Sequence, residues 1–401
     1  MASTYARLAA LWFGVQFVWG AILAVSLQAR STALAPHDGL AAYSLIASLG
    51  ALVGMVTQLV SGPLADRAFA RRGNRRTFYA AGVGIAVPAL LWFYLAPNYP
   101  QLVAAFFLLQ FGMNVLGGPY AAIVPDYVAP QRAGAASSWM GILQAVGNVC
   151  GLLVAGFVES RGVVALLLVG GLVASWIVTA RATSRAAPAA AGREPFAVSR
   201  AFRTLLGSRM AINFGFYTLL GFLFFFVAGS LNVRAGAVRT TTALLFLTFT
   251  LGNVLGALAG AKPVDRFDKR AVVFAANGVV GIGLLGLMLT RSVVWAFMFA
   301  AIAGIAWGTY FIADWALACT VLPRNAMAFS MGVWNIAATL PQIVAPLVTA
   351  PIVERVNASA PGVGPRAAIG LAIIEFTLGA LWLYRLPAPD LSGSTGQPAA
   401  G

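Results

Sequence analysis

Ser61-Gly62-Pro63-Leu64-Ala65-Asp66-Arg67 closes one long apolar run, and Ala261-Lys262-Pro263-Val264-Asp265-Arg266 closes another, half a chain later. Each string is followed by a basic cluster and then by a Gly-containing apolar run. A second echo, in the same order, pairs Val128-Ala129-Pro130 with Val321-Leu322-Pro323. Two matched echoes in the same order predict a chain built as two related halves.

The solvent around those halves follows from composition. Of 401 residues, 60% are hydrophobic and only 9% charged, and mean hydropathy is +0.85. A soluble domain needs roughly a quarter of its residues charged to cover its surface. The apolar runs are therefore read as membrane spans of about 20 residues, and as helices, because each span must satisfy its own backbone in hydrocarbon. They cover 7–30, 40–61, 77–96, 100–127, 134–158 and 162–181, then 209–232, 240–262, 271–290, 292–318, 326–353 and 364–385. The short alternating stretches of a membrane barrel are absent. The expected organisation is a six-helix bundle over 1–181, a linker over 182–208, a second six-helix bundle over 209–386 and a disordered tail over 387–401. The run from Leu8 to Ala29 is read as an uncleaved first helix rather than a signal peptide.

The net charge of +15 sits between the apolar runs, which excludes nucleic-acid binding in favour of loops facing anionic lipid. Arg67, Arg71, Arg72, Arg75 and Arg76, then Arg185, Arg193, Arg200 and Arg203, then Lys262, Arg266, Lys269 and Arg270 fall on one side. The other side carries only scattered Arg30, Arg161, Arg234, Arg239, Arg291, Arg355 and Arg366. This bias puts both termini in the cytoplasm. One histidine, His37, and two cysteines, Cys150 and Cys319, provide no metal, triad or cofactor constellation. Asn357-Ala358-Ser359 is a glycosylation sequon only in a eukaryotic host.

Three groups of residues carry mechanism. Gly62, Asp66 and Arg67, echoed by Asp265 and Arg266, place carboxylates and guanidinium groups at helix ends, where ion pairs made in one conformation and broken in another would gate transport. Buried amides are costly in lipid unless they face the bundle interior. Gln16, Asn114, Gln144, Asn148, Asn335 and Gln342, with Trp19, Tyr120, Trp307 and Tyr310, form a candidate lining for a neutral hydroxylated solute: amides bond hydroxyls and aromatic faces pack on the apolar side of a sugar ring. Asp126 and Asp314 are carboxylates within apolar runs, and so candidates to carry a proton. Their alternative use is pairing with Arg132 or Arg324. Glu375, on the last helix, is assigned to a helix contact. Gly50 and Gly54, Gly147 and Gly151, and Gly252, Gly256 and Gly260 let helices approach closely. Gly281-Ile282-Gly283-Leu284-Leu285-Gly286 spells a dinucleotide fingerprint inside an apolar run, and is read as packing.

Several strings resemble a known family. Gly14-Val15-Gln16-Phe17-Val18-Trp19 is similar to the first helix of plant-type sucrose–proton symporters, and Asp66-Arg67 with Arg71-Arg72-Gly73-Asn74-Arg75-Arg76-Thr77-Phe78 to their loop after helix two. Gly118-Pro119 followed by Asp126 resembles their fourth helix, Ala145-Val146-Gly147-Asn148-Val149-Cys150-Gly151 their fifth, and Gly332-Val333-Trp334-Asn335-Ile336 with Pro341-Gln342 their eleventh. The resemblance implies the major facilitator fold, all-α and integral to the membrane, with twelve transmembrane helices in two pseudo-symmetric bundles. It also implies proton-coupled symport of a di- or oligosaccharide or related glycoside, with Asp126 as the coupling group. One departure is Ala121, where the family has an arginine, so that a charged sugar clamp or a partner for Asp126 is missing. Asp314 is the repeat equivalent of Ala121 when the Val-x-Pro echoes are superposed.

The expected protein is a monomer in a bacterial inner (plasma) membrane, with a solute site at the midplane between helices one, four, five, seven, ten and eleven. It needs no cofactor. A proton-driven exporter of amphipathic compounds on the same scaffold is the competing reading. A membrane enzyme lacks a nucleophile or base constellation, and a non-transporting sensor would have lost Asp126 and the gate strings.

Overall fold

The computed structural model describes residues 2–35, 38–72, 74–128, 133–183, 199–321, 327–360 and 362–385. His37, most of the expected linker and the expected tail lie outside these. The described residues form helices and contain no strand.

Twelve helices are long and apolar enough to cross a membrane. In the first half they are helix 1 (Thr4–Leu34), helix 2 (Gly39–Phe69), helix 3 (Arg76–Leu95), helix 4 (Tyr99–Tyr120), helix 5 (Trp139–Phe157) and helix 6 (Arg161–Ala182). In the second they are helix 7 (Arg200–Ser230), helix 8 (Ala235–Gly260), helix 9 (Lys269–Leu289), helix 10 (Val293–Ala318), helix 11 (Ile336–Ser359) and helix 12 (Gly364–Leu383). Helix 7 starts at Arg200, inside the stretch read as linker, because Ser199 caps it by accepting from the Phe202 amide at 3.0 Å. Each half has its own apolar core, one around Phe93, Phe106 and Tyr120, the other around Phe226, Tyr310 and Trp334.

One expected run breaks. The segment 100–127 ends as a span at Tyr120, turns at Ala121 and Ala122, and resumes as a short helix over Ile123–Tyr127. Pro119 and Pro125 have no backbone N–H to donate, which favours the interruption. Asp126 therefore sits on a short helix beyond the span, not within it.

Glycines set the helix spacing where the sequence suggested. A Cβ at Gly147 or Gly151 would overlap the carbonyl oxygens of Phe13 and Phe17 on helix 1, and one at Gly256 would overlap the Ile305 carbonyl on helix 10. Gly304 and Gly308 meet Phe249 and Asn253 of helix 8 in the same way. Backbone-to-backbone contact of this kind drives helix association in lipid, where apolar burial gives little. Within the fingerprint-like string, Gly283 and Gly286 pack on Ala303 and Phe299, whereas Gly281 faces open space.

The two halves meet at the end away from the basic clusters. Arg239 of helix 8 donates to the carbonyls of Ala155 at 2.9 Å and Val158 at 2.7 Å, and Thr240 donates to Gly156 at 2.8 Å. Tyr43 of helix 2 packs on Phe222 and Phe225 of helix 7, with ring centroids 6.2 and 5.7 Å away. Toward the basic end one face of helix 8 grows more exposed, from half-buried Leu244 through Leu251 at 53% and Leu255 at 59% to Leu258 at 73%.

Gly256→Ala is expected to lower stability by about 1–3 kcal/mol through overpacking, while Gly281→Ala leaves it unchanged. Thermal unfolding of the purified protein in detergent checks the pair.

Candidate functional site

Helix periodicity gathers polar side chains into a cavity of about 260 Å³ between the halves. Helix 1 contributes Gln16, Trp19 and Leu23, which share a face at i, i+3 and i+7. Helix 2 contributes Ala51, Gly54, Met55 and Gln58, helix 4 Gln110 and Asn114, helix 7 Tyr217, and helix 11 Thr339 and Gln342. Among the described residues, no acidic or basic side chain lines it.

Part of the lining is a chain of amides. Gln58 donates to Asn114 Oδ1 at 2.7 Å, and Asn114 donates to the Gln110 carbonyl at 2.7 Å and to Gln110 Oε1 at 3.1 Å. Gly54 makes room for it, since a Cβ there would crowd Asn114 Nδ2 and Gln110 Oε1. Gln16 and Gln342 face the cavity half-buried.

Of the expected lining residues, the fold brings together Gln16, Trp19, Asn114 and Gln342 and places Tyr120, Gln144, Asn148, Trp307 and Tyr310 elsewhere. Tyr120 is fully buried, donates to the Leu8 carbonyl at 2.6 Å and packs on Trp12 and Tyr79. Trp307 stacks on Phe216 at 4.8 Å and packs on Tyr310 at 5.0 Å within the second core, where both are buried. Gln144 and Asn148 stay half-buried on helix 5 and do not line the cavity; the Asn148 backbone rests on Gly20 of helix 1. The Asn335 side chain lies outside the described residues. Gln110 and Tyr217 were missed, although Gln110 is one turn before Asn114 on the same face. Gln28, also an amide in an apolar run, serves the backbone instead: it donates to the Leu23 carbonyl at 2.8 Å, across the widened turn Ile22–Ser26.

Asp126 and Asp314 are both ion-paired, each with an arginine distant in sequence. Arg75 holds both acids at this end: its Nε donates to Asp126 at 2.7 Å and another guanidinium nitrogen to Asp66 at 2.6 Å. Its plane lies 4.8 Å from the Phe69 ring. One arginine thus ties the ends of helices 2 and 4 to the start of helix 3. Burial pushes the Asp126 carboxyl above the usual carboxylate range, and the Arg75 hydrogen bond and charge only partly offset it. Asp314 of helix 10 pairs with Arg209 of helix 7, and the guanidinium lies 4.5 Å from the Trp334 ring. Arg132 and Arg324 lie outside the described residues.

Gly62 faces open space and Arg67 is exposed. In the second half Arg266 is exposed and the Asp265 side chain lies outside the described residues. Asp268, one residue before helix 9, caps that helix and pairs with Arg270 at 2.6 Å. The Arg270 hydrogen bond holds the Asp268 carboxyl below its ordinary value despite some burial.

The sequence model of the Major Facilitator Superfamily matches residues 8–346 and 234–400. Sucrose transport protein SUT2 of rice, in Oryza sativa subsp. indica and subsp. japonica, is 30% identical over 168 residues, which is 36% of this chain and 33% of each relative. The match thus spans about a third of the relatives' length. A bacterial homologue of the human lysosomal transporter Spinster, inward-facing and unoccupied, superposes with a TM-score of 0.75 at 17% identity, over 97% of this chain and 99% of that one. The nucleoside transporter NupG gives 0.71 at 12% identity, over 96% of this chain and 99% of that one.

Removing Arg75 strands a buried carboxylate. Arg75→Ala is expected to cost about 3 kcal/mol, whereas Asp66→Ala costs under about 1 kcal/mol, because the Asp66 side chain is 62% exposed. Thermal unfolding of both variants, with Arg75→Lys as a partial rescue, measures the difference.

Proposed function

The chain belongs to the major facilitator superfamily and is a membrane transporter rather than an enzyme, and from that premise we propose that it takes up a neutral glycoside with a proton by alternating access. The observation that carries this reading is the lining of the central cavity. Gln16, Gln58, Gln110, Asn114 and Gln342 offer amide donors and acceptors, Trp19 and Tyr217 offer ring faces, and among the described residues no charged side chain reaches in. Hydroxyls on a sugar ring bond amides, and its C–H face packs on aromatic rings. A hydrophobic cation, the typical cargo of an exporter, would find no carboxylate here. The volume of about 260 Å³ lies just below the range of about 300–1,000 Å³ common for small-molecule pockets. It suits one or two sugar rings better than a longer oligosaccharide.

The SUT2 likeness supports a sugar. The solved nucleoside transporter adds a second neutral, hydroxylated class to test. We place the basic end in the cytoplasm and both termini with it, by the loop charge bias, in the plasma (inner) membrane. The seam at Arg239 and Tyr43 then closes the outer side, and the more exposed end of helix 8 faces inward.

For the proton we favour Asp314 over Asp126. Asp126 shares Arg75 with Asp66, so its charge serves the gate at the basic end. Asp314 has Arg209 as its partner, deep in helices 7 and 10. Arg209, Asn213 and Tyr217 lie at i, i+4 and i+8 on helix 7, and Asn213 donates to the Arg209 carbonyl at 2.9 Å. A proton on Asp314 frees Arg209, and that helix face leads to the cavity wall at Tyr217.

In proteoliposomes with an imposed proton gradient, a panel of mono-, di- and trisaccharides and nucleosides should give a saturable, proton-linked response to a neutral glycoside. Silence across the panel with a response to amphipathic cations would reverse the assignment to export. With the responsive solute, Asp314→Asn is expected to abolish accumulation and retain counterflow, while Asp126→Asn slows both. The reverse pattern returns the proton to Asp126.

A further inference from the structure

Arginines scattered in sequence on the outer side are gathered by the fold into two cavities, and the two are not alike. In the second half, Arg366 at the start of helix 12 spends its donors on helix ends: it bonds the carbonyls of Ser230, Met288 and Thr290. The accompanying arginine in that cavity is Arg291. A carbonyl cap accounts for Arg366, since the last carbonyls of a helix lack intrahelical partners.

The first half holds three guanidinium groups around one cavity of about 420 Å³, formed at the outer ends of helices 1, 3, 5 and 6 and the start of helix 8. Arg30 is only 5% exposed; it donates to the Ala96 carbonyl, and its Nε has no partner. Arg239 spends one nitrogen on the Ala155 and Val158 carbonyls. Arg161 lines the same cavity with no hydrogen-bond or carboxylate partner among the described residues. Arg161 also opens helix 6, so the positive end of that helix faces the same region, with Ser160 capping it by accepting from the Val163 amide at 3.4 Å. Glu159 is the one carboxylate in the lining, and Ser26 and Tyr94 are bonded to each other at 2.8 Å.

Three cations against one carboxylate, with a buried Nε unused, leave a net positive cavity whose members repel one another unless an anion sits among them. We propose that this outer cavity binds a small oxyanion, a phosphate or phosphate-like group, that bridges Arg30 and Arg161 of the first half to Arg239 of the second. Planar guanidinium groups match the oxygens of such a group, and charge-assisted bonds to them are stronger than neutral ones. Because Arg239 also makes the seam between the halves, the bound oxyanion holds the outer side shut. Two sources share this chemistry, free phosphate and a phospholipid headgroup.

The test is thermal unfolding of the full chain in dodecyl maltoside micelles, which carry no phosphate, titrated with inorganic phosphate against chloride at constant ionic strength. A parallel arm adds phosphatidylglycerol to the micelles without inorganic phosphate. The expected result is a saturable rise in the midpoint with phosphate, or a rise with phosphatidylglycerol, that is lost in Arg161→Gln and kept in Arg291→Gln. A phosphate response identifies a free anion, and a response in the lipid arm alone identifies a headgroup. An equal effect of chloride, a shift that survives in Arg161→Gln, or no shift in either arm overturns the proposal. Arg161 makes no bond that the fold needs, so its loss leaves a folded protein to measure.

Discussion

A polar group inside a bilayer has no water to turn to, and that constraint shapes every part of this molecule. It makes the spans helical, since only a helix satisfies its backbone within one segment. It also sets the tasks of the polar side chains. Gln28 bonds the Leu23 carbonyl at the widened turn of helix 1, and Asn213 and Asn277 bond the carbonyls one turn before them. Gln16, Gln58, Gln110, Asn114 and Gln342 face the cavity between the halves, where Gln58, Asn114 and Gln110 also bond one another.

Charges obey the same constraint in two ways. Asp126 and Asp314 are buried against Arg75 and Arg209, and a broken pair of this kind is costly. At the outer ends arginines close helices by bonding their last carbonyls. Arg239 does so across the boundary between the halves, which makes a helix cap into a seam. Polar contacts between the halves lie at the outer end, whereas both ion pairs lie within a half, Arg75 with Asp126 and Arg209 with Asp314.

Much of this architecture was legible in the sequence, because it depends on local pattern. The twelve apolar runs, the repeated Asp-Arg endings and the paired glycines report span length, pseudo-symmetry and close approach, each set by neighbours along the chain. The site was legible only in part. Gln16 and Trp19 share a helix face that periodicity predicts, and so do Gln110 and Asn114. Which faces converge depends on helix rotation within the bundle, and the sequence does not carry it. Tyr120, Trp307 and Tyr310 looked like lining and are core, because large aromatics fill a bundle as readily as they line a cavity. The Asp126–Arg75 pair joins residues 51 positions apart, and the break at Ala121 that presents Asp126 to Arg75 follows two prolines whose effect was not weighed. The meeting of Arg30, Arg161 and Arg239 draws on both halves and had no signal in one dimension.

The central claim is that closing at one end and opening at the other are a single motion. The direct measurement is pulsed electron resonance between spin labels, in a background free of Cys150 and Cys319. One label pair sits at the basic end on Arg71 and Phe267, the other at the outer end on Leu95 and Val294, all exposed sites. Arg239→Ala, which removes the seam, should enrich shorter distances at the basic end and longer ones at the outer end together. Lengthening at the outer end with no change at the basic end would contradict the account.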